Sequence, residues 1–460
     1  VATLLRAAAA SLALCLVFAL LSLAAASRDP GRIAERLRPL AEAGRLFDTM
    51  GLPLGARRVA AWEGNDCLVF AMLVQPREGL WRDAYSPLLP VRTAPRPENA
   101  PAELVQSRCA LLAELLDPAA APEPALRYHR YLHGQRVVGA LLVPALGGDG
   151  LRAAATLALA GTLGGLAIVA GISALRRRCA RDAGFAWLGL GLLLFWGLPI
   201  YGRYWSHATS DLVIAGALWL LWLRPAHPGE PDAGPAWLLG GFGCGVALFE
   251  FLTGGLPLGA ALVVLAAALA ARAPTARGVL ASLACFGLGA VLPFALKVAL
   301  GLLGFADLDG AGDGGQLLHR LIGPVVPELS PREVAMLGAL GFDVRLLDDW
   351  PVLRLPYAAF RLGYFGFVGG SGSTVLGLLV LGGAAAATVL LGLRAIRRGG
   401  AARALTAWLA CGVVAAWYLL FLSHTLLHAA WMVRCLVVLP LAAGVLVAAR
   451  NLPRAASAPQ

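Results

Sequence analysis

The sequence predicts an all-α integral membrane protein with about ten transmembrane helices and a large mixed first extracytoplasmic loop. Three observations predict it. Hydrophobic residues fill 59% of the 460 positions and charged residues only 14%, with a mean hydropathy of +0.73. A soluble domain carries roughly a quarter charged residues, so this much apolar surface calls for lipid as its solvent. Second, apolar runs near the length of about twenty residues needed for a span recur along the chain. Third, the connections between those runs alternate in character, basic on one side and rich in His, Trp, Tyr and acids on the other.

The elements follow in order. Residues 7–26 form an apolar run after Arg6, ending Ala24-Ala25-Ala26-Ser27. An uncleaved anchor is preferred to a cleaved signal peptide, although the A-x-A ending suits either, and both leave residue 28 outside. Residues 27–150 form an extracytoplasmic loop domain. Within it, Ile33 to Met50 reads as an amphipathic helix along the membrane surface, with Ile33, Leu37, Leu40 and Leu46 opposite Arg36, Arg38, Glu42 and Arg45. Ser86 to Pro101 is Pro-rich and reads as an extended crossing.

The further spans are placed at 151–173, 184–201, 209–223, 236–251, 255–271, 278–303, 374–393, 404–422 and 434–449. Helices two to seven thus occupy 151–303, a second extracytoplasmic loop 304–373, and helices eight to ten with a cytoplasmic tail 374–460. Basic connections at 176–181, 223–225, 272–277, 393–403 and 449–454 all fall on one side, which the positive-inside rule makes cytoplasmic. Both termini are then cytoplasmic and the first loop is outside. The net charge of +11 is dispersed over these helix ends, which argues against a nucleic-acid partner and for membrane lipid. Of eight Cys, Cys67 and Cys109 lie in the first loop, where an oxidising compartment permits but does not require pairing.

The candidate groups gather on the outer side. They are His129 and His133 in 127–136, then Arg203, His207 and Asp211 between the third and fourth spans. Glu250 closes the fifth span, Lys297 (the single lysine) sits in the seventh, and His424, His428 and Arg434 frame the last outer turn. The 127–136 segment reads equally as an interfacial helix with its Tyr and Arg at the headgroups. His129 and His133, like His424 and His428, are four apart and could share a metal on one helical face, but no third ligand is fixed. The cofactor, including any divalent metal, stays open. Glu250 and Lys297 are costly in hydrocarbon and need a partner or a cavity, so either they pair with each other or they line a pocket. Asp66, beside Glu63 and Asn65, is either a helix cap or a functional carboxylate, with Asp83 a second choice.

Taken together these residues resemble an uncharacterised family of bacterial polytopic membrane proteins. The resemblance rests on Asp66, on Tyr128-His129-Arg130-Tyr131-Leu132-His133-Gly134, on Phe249-Glu250-Phe251-Leu252-Thr253, and on Ser423-His424-Thr425 with His428 and Arg434. The sequence departs from that pattern in Glu250 for Asp, Ser423 for Asn and Leu132 for an aromatic. In plan the chain also resembles the GT-C-class membrane glycosyltransferases, whose catalytic carboxylate stands closer to the first span than Asp66 does. The resemblance implies a bacterial plasma-membrane enzyme that moves a sugar from a polyprenyl-phosphate donor to an envelope glycan or lipid. It makes Asp66 the base and Glu250 a second carboxylate. His129, His133, Arg203, His207, Lys297, His424, His428 and Arg434 then bind substrate or its phosphates. The competing readings are a transporter with an outward-opening polar pocket and a non-enzymatic envelope scaffold.

Overall fold

The computed structural model describes residues 1–46, 49–54, 57–62, 64–90, 108–117, 119, 125–127, 132–195, 205–250, 254–304, 374–421 and 432–450. Its frame is a bundle of apolar helices, which overlap the apolar runs read from the sequence. These are α1 (Ala2–Ala26), α6 (Gly134–Arg177), α7 (Ala180–Phe195), α8 (Trp205–Leu223), α9 (Ala236–Phe249), α10 (Gly255–Ala268), α11 (Ala276–Gly304), α12 (Thr374–Arg397), α13 (Ala401–Leu420) and α14 (Val438–Ala449). Six of them, α1, α6, α8, α11, α12 and α13, are long and apolar enough to cross a bilayer. The chain is therefore built as a multi-pass membrane protein.

Apolar residues face outward where lipid would lie. Leu5, Leu16 and Leu20 of α1, Leu157 and Leu175 of α6, and Leu379 and Leu390 of α12 are all exposed. Helix α10 is the opposite case, buried along nearly its whole length against α13, α11 and α9. No hydrophobic drive separates helix from lipid, so close backbone approach supplies the attraction, and small residues permit it. Helix α9 shows this in AWLLGGFGCGVALF. A Cβ at Gly243 would overlap the Phe286 carbonyl of α11, one at Gly289 of α11 would overlap the Gly240 carbonyl, and one at Gly240 would meet Ala7 of α1.

The first loop folds as a small mixed layer: α2 (Pro30–Glu42), β1 (Thr49–Leu54), β2 (Arg57–Trp62), α3 (Gly64–Val74), α4 (Leu80–Tyr85), β3 (Leu88–Pro90), α5 (Arg108–Leu116) and β4 (Ala125–Arg127). Strands β1 and β2 pair antiparallel, Thr49 opposite Trp62, and β3 pairs antiparallel with β4, Leu88 opposite Arg127. The expected helix over 33–50 is shorter. It starts with Asp29 capping the Gly31 N–H and Pro30 in the first turn, and Gly44, at φ +61, ends it while the Arg45 N–H bonds the Leu40 carbonyl at 2.8 Å. Its face is also differently used. Ile33, Leu37 and Leu40 are buried against α3, α5 and α6, so the apolar stripe packs on protein instead of the membrane surface.

Helix α6 starts at Gly134, ahead of the expected 151, and breaks at Gly147, whose φ of 67 and ψ of −179 belong to a region essentially confined to glycine. Arg36 of α2 takes up the carbonyls freed at that break, bonding Pro144 at 2.9 Å and Ala145 at 3.2 Å. The first loop is thus tied to the top of the longest helix. Cys67 and Cys109 form a disulfide that joins α3 to α5.

Candidate functional site

Asp66 stands in the first turn of α3 with its side chain fully buried. Its carboxylate caps a different helix. It accepts from the Ser206 N–H at 3.1 Å and from the Ser206 hydroxyl at 2.6 Å, in the first turn of α8, and from Arg152 Nε of α6 at 3.3 Å. A negative charge belongs at a helix N-terminus, where N–H groups lack intrahelical partners. Burial pushes the Asp66 carboxyl above the usual range, against the opposing pull of Arg152 and Ser206. Beside it the Phe70 ring stacks on the buried Trp205 ring with centroids 5.3 Å apart, so α3 and the start of α8 are locked face to face.

A turn and a half along α8 lies a second buried cluster. Arg434, in the 3-10 turn Val433–Val437 before α14, donates from Nη1 to Asp211 Oδ1 at 2.7 Å, and its Nη2 lies 3.8 Å from Glu250 Oε1. All three side chains are at most 1% exposed. Glu250 ends α9 in an extended conformation, and its carboxylate folds onto the start of α10, accepting from the Gly255 N–H and from the Leu256 N–H at 3.0 Å. Gly254 makes that turn possible at φ +114, and a Cβ there would crowd Cys435 Sγ. Tyr418 of α13 secures the far side by donating to the Met432 carbonyl at 2.6 Å. One guanidinium therefore holds two carboxylates from separate helices.

The start of α6 closes on the same region. His133 caps it in the left-handed conformation and is buried, and Gln135 donates to the Phe249 carbonyl next to Glu250. A Cβ at Gly134 would overlap the Leu248 carbonyl and the Phe249 ring, which explains a glycine at that contact. His207 is buried in the first turn of α8, its carbonyl accepting from Ser210 Oγ at 2.9 Å. Asp83 caps α4 through the Glu78 and Gly79 N–H groups, and its carbonyl receives Arg136.

Of the two readings of Glu250 and Lys297, the one that pairs them with each other is not what forms. Lys297 Nζ instead lies over the Tyr85 ring of α4 at 5.2 Å, while the Tyr85 hydroxyl donates to the Lys297 carbonyl at 2.9 Å. Glu250 already has Arg434 and the α10 N-terminus. Asp66, His133, His207, Glu250 and Arg434 are thus placed around the first turns of α8 and α6 and the α9–α10 turn, and Lys297 is placed against α4. His129, Arg203, His424 and His428 lie outside the described residues, as does Glu63. Among the described residues no three His, Cys, Asp or Glu side chains gather in a metal-holding group. Sequence reasoning missed Arg152 and Ser206 as partners of Asp66, and named Asp211 without its cation. An arginine at the first residues of an otherwise apolar span was the available signal for Arg152.

No family model, curated protein or solved structure matches this chain. What the site can do rests on its own residues. Two charged clusters share α8, the Asp211–Arg434–Glu250 one buried throughout and the Asp66–Arg152 one buried at its carboxylate, and each ties a helix N-terminus to a residue distant in sequence.

Proposed function

We propose that this chain is a ten-span protein of the bacterial plasma membrane, with both termini cytoplasmic and the first loop outside, that transfers a sugar from a polyprenyl-phosphate carrier to an envelope acceptor in the manner of the GT-C class. The observation that carries the reading is a pair of buried charged clusters along α8, Asp66 with Arg152 and Ser206, and Asp211 and Glu250 with Arg434, inside an apolar bundle. Buried charge of this kind is costly in a membrane protein and is kept where it serves a site. The Cys67–Cys109 disulfide supports an oxidising, outer location for the loop. The five basic connections support a cytoplasmic opposite face.

In this reading Asp66 takes the proton of the acceptor hydroxyl, its raised pKa suiting a base, once the loop layer gives access to it. Glu250 orients the sugar, and Arg434 stabilises the departing phosphate when it exchanges a carboxylate for it. His129, His133, Arg203, His207, Lys297, His424 and His428 complete the substrate contacts. A transporter is the second reading, favoured by one observation: the Asp211–Arg434–Glu250 cluster lies wholly buried among helices, as a proton- or solute-coupled site would.

The test is a deletion strain whose envelope glycans and lipid-linked intermediates are compared with wild type by mass spectrometry. A missing sugar with an accumulated polyprenyl-phosphate-linked donor supports transfer and names the substrate. Unchanged glycans and carriers, with expression confirmed in the parent, overturn it and put the transporter first.

A further inference from the structure

A cavity separate from both clusters lies where α1 ends and the first loop begins. It has a volume of about 30 Å³ and is lined by Ala25, Ala26, Ile33 and Leu73 together with five polar side chains. Those are Arg28, Gln75, Arg77, Asp83 and Arg136. Gln75 is only 6% exposed, and its amide nitrogen has no hydrogen-bond partner among the described residues. A buried donor left unmade costs free energy, so a native donor in that position marks a place for an acceptor. Arg136 is buried beside it, whereas Arg28 and Arg77 stand exposed at the mouth. Among the described lining residues three arginines stand with one acid, Asp83, whose carboxylate accepts from the Glu78 and Gly79 N–H groups while Arg136 donates to its carbonyl.

We propose that this cavity binds a phosphate group. The charge excess selects an anion, and the arginine forks and the amide match phosphate oxygens. Size sets the limit. One water needs about 10–15 Å³ of such volume, so the cavity takes two or three oxygens and leaves the rest of the ligand outside, which excludes a sugar ring. The phosphate belongs to a lipid headgroup or arrives free in solution. The proposal needs only that the chain lie in a membrane, and stands apart from the transfer reading.

The full chain, purified in detergent, is titrated with phosphatidylglycerol, with diacylglycerol and with inorganic phosphate, and bound species are counted by native mass spectrometry. Arg28→Gln combined with Arg77→Gln should weaken phosphatidylglycerol retention on the order of tenfold, the loss of charge-assisted bonds at the mouth. Gln75→Leu should weaken it severalfold while the melting temperature holds or rises, because the substitution removes an unsatisfied buried amide. Displacement of the lipid by millimolar inorganic phosphate assigns the site to free phosphate, and retention against it assigns the site to a headgroup. Diacylglycerol bound as well as phosphatidylglycerol, or equal retention by both variants and the parent, overturns the proposal.

Discussion

Replacing Arg434 by Met is the sharpest perturbation the bundle offers. The side chain is matched in length, so the loss is chiefly of charge and hydrogen bonds. At an effective dielectric of 20, a charge pair at the Asp211 distance is worth about 6 kcal/mol and one at the Glu250 distance about 4 kcal/mol before desolvation. Desolvation offsets much of that attraction, yet removing one partner strands the other charge, and breaking a buried pair costs about 3–5 kcal/mol. Glu250 keeps two N–H donors from the α10 start, whereas Asp211 among the described residues keeps Ser210 Oγ at 3.5 Å. Arg434→Met should therefore destabilise by about 3–5 kcal/mol, and adding Asp211→Asn should restore more of that loss than adding Glu250→Gln. The assay is equilibrium unfolding of the purified chain in mixed micelles, arranged as two double-mutant cycles. Single and double variants as stable as the parent, or stronger rescue through Glu250, would refute the reasoning.

Three further outcomes follow from the same geometry. Asp66→Asn keeps an acceptor for Ser206 while giving up the Arg152 ion pair, and should cost less stability than Asp66→Ala. Asp66→Ala orphans the Ser206 N–H and hydroxyl at about 1–3 kcal/mol each, so an equal effect of the two in thermal melts contradicts the capping role. Because burial raises the folded carboxyl of Asp66 above its unfolded value of about 3.9, the folded state binds the proton more tightly, and this group's contribution falls as pH rises through that interval. Lowering the pH from neutral toward the unfolded carboxyl range should raise the protection factor, the exchange rate corrected for its intrinsic pH dependence, at the start of α8 in the parent but not in Asp66→Asn; identical profiles count against it. Gly243→Leu forces α9 and α11 apart at the Phe286 carbonyl and should lower stability by roughly 1–3 kcal/mol or more, and a melt unchanged from the parent argues against that close approach.

Much of the bundle was legible because its apolar runs carry their own length signal. The runs at 236–251 and 255–271, for instance, become α9 and α10 with ends shifted by a few residues. Where the turn chemistry was local it could be read, but its consequence was underweighted: Gly44 stops α2 well before Met50. The burial face of α2 was legible from its period, yet periodicity cannot say whether lipid or protein covers it, and here protein does. Cys67 and Cys109 pair, a contact the sequence permitted without deciding. Partner choice inside the bundle was illegible for a plain reason. Glu250 needed a cation, Lys297 was the conspicuous one, and only the rotation of α11 relative to the α9–α10 turn directs Lys297 to Tyr85 and leaves Glu250 to Arg434. The same holds for Asp66, which caps Ser206, 140 residues later in sequence.

In the proposed topology the charged clusters lie at the outer face of a multi-pass membrane protein. Membrane-impermeant maleimide applied to intact spheroplasts tests it most directly, with cysteines introduced singly at Ser27, Arg77, Arg178 and Arg398 and the unmodified chain as baseline. Positions 27 and 77 should label in intact cells, and positions 178 and 398 only after permeabilisation. Labelling of Arg178 or Arg398 in intact cells, with Ser27 and Arg77 protected, would contradict it.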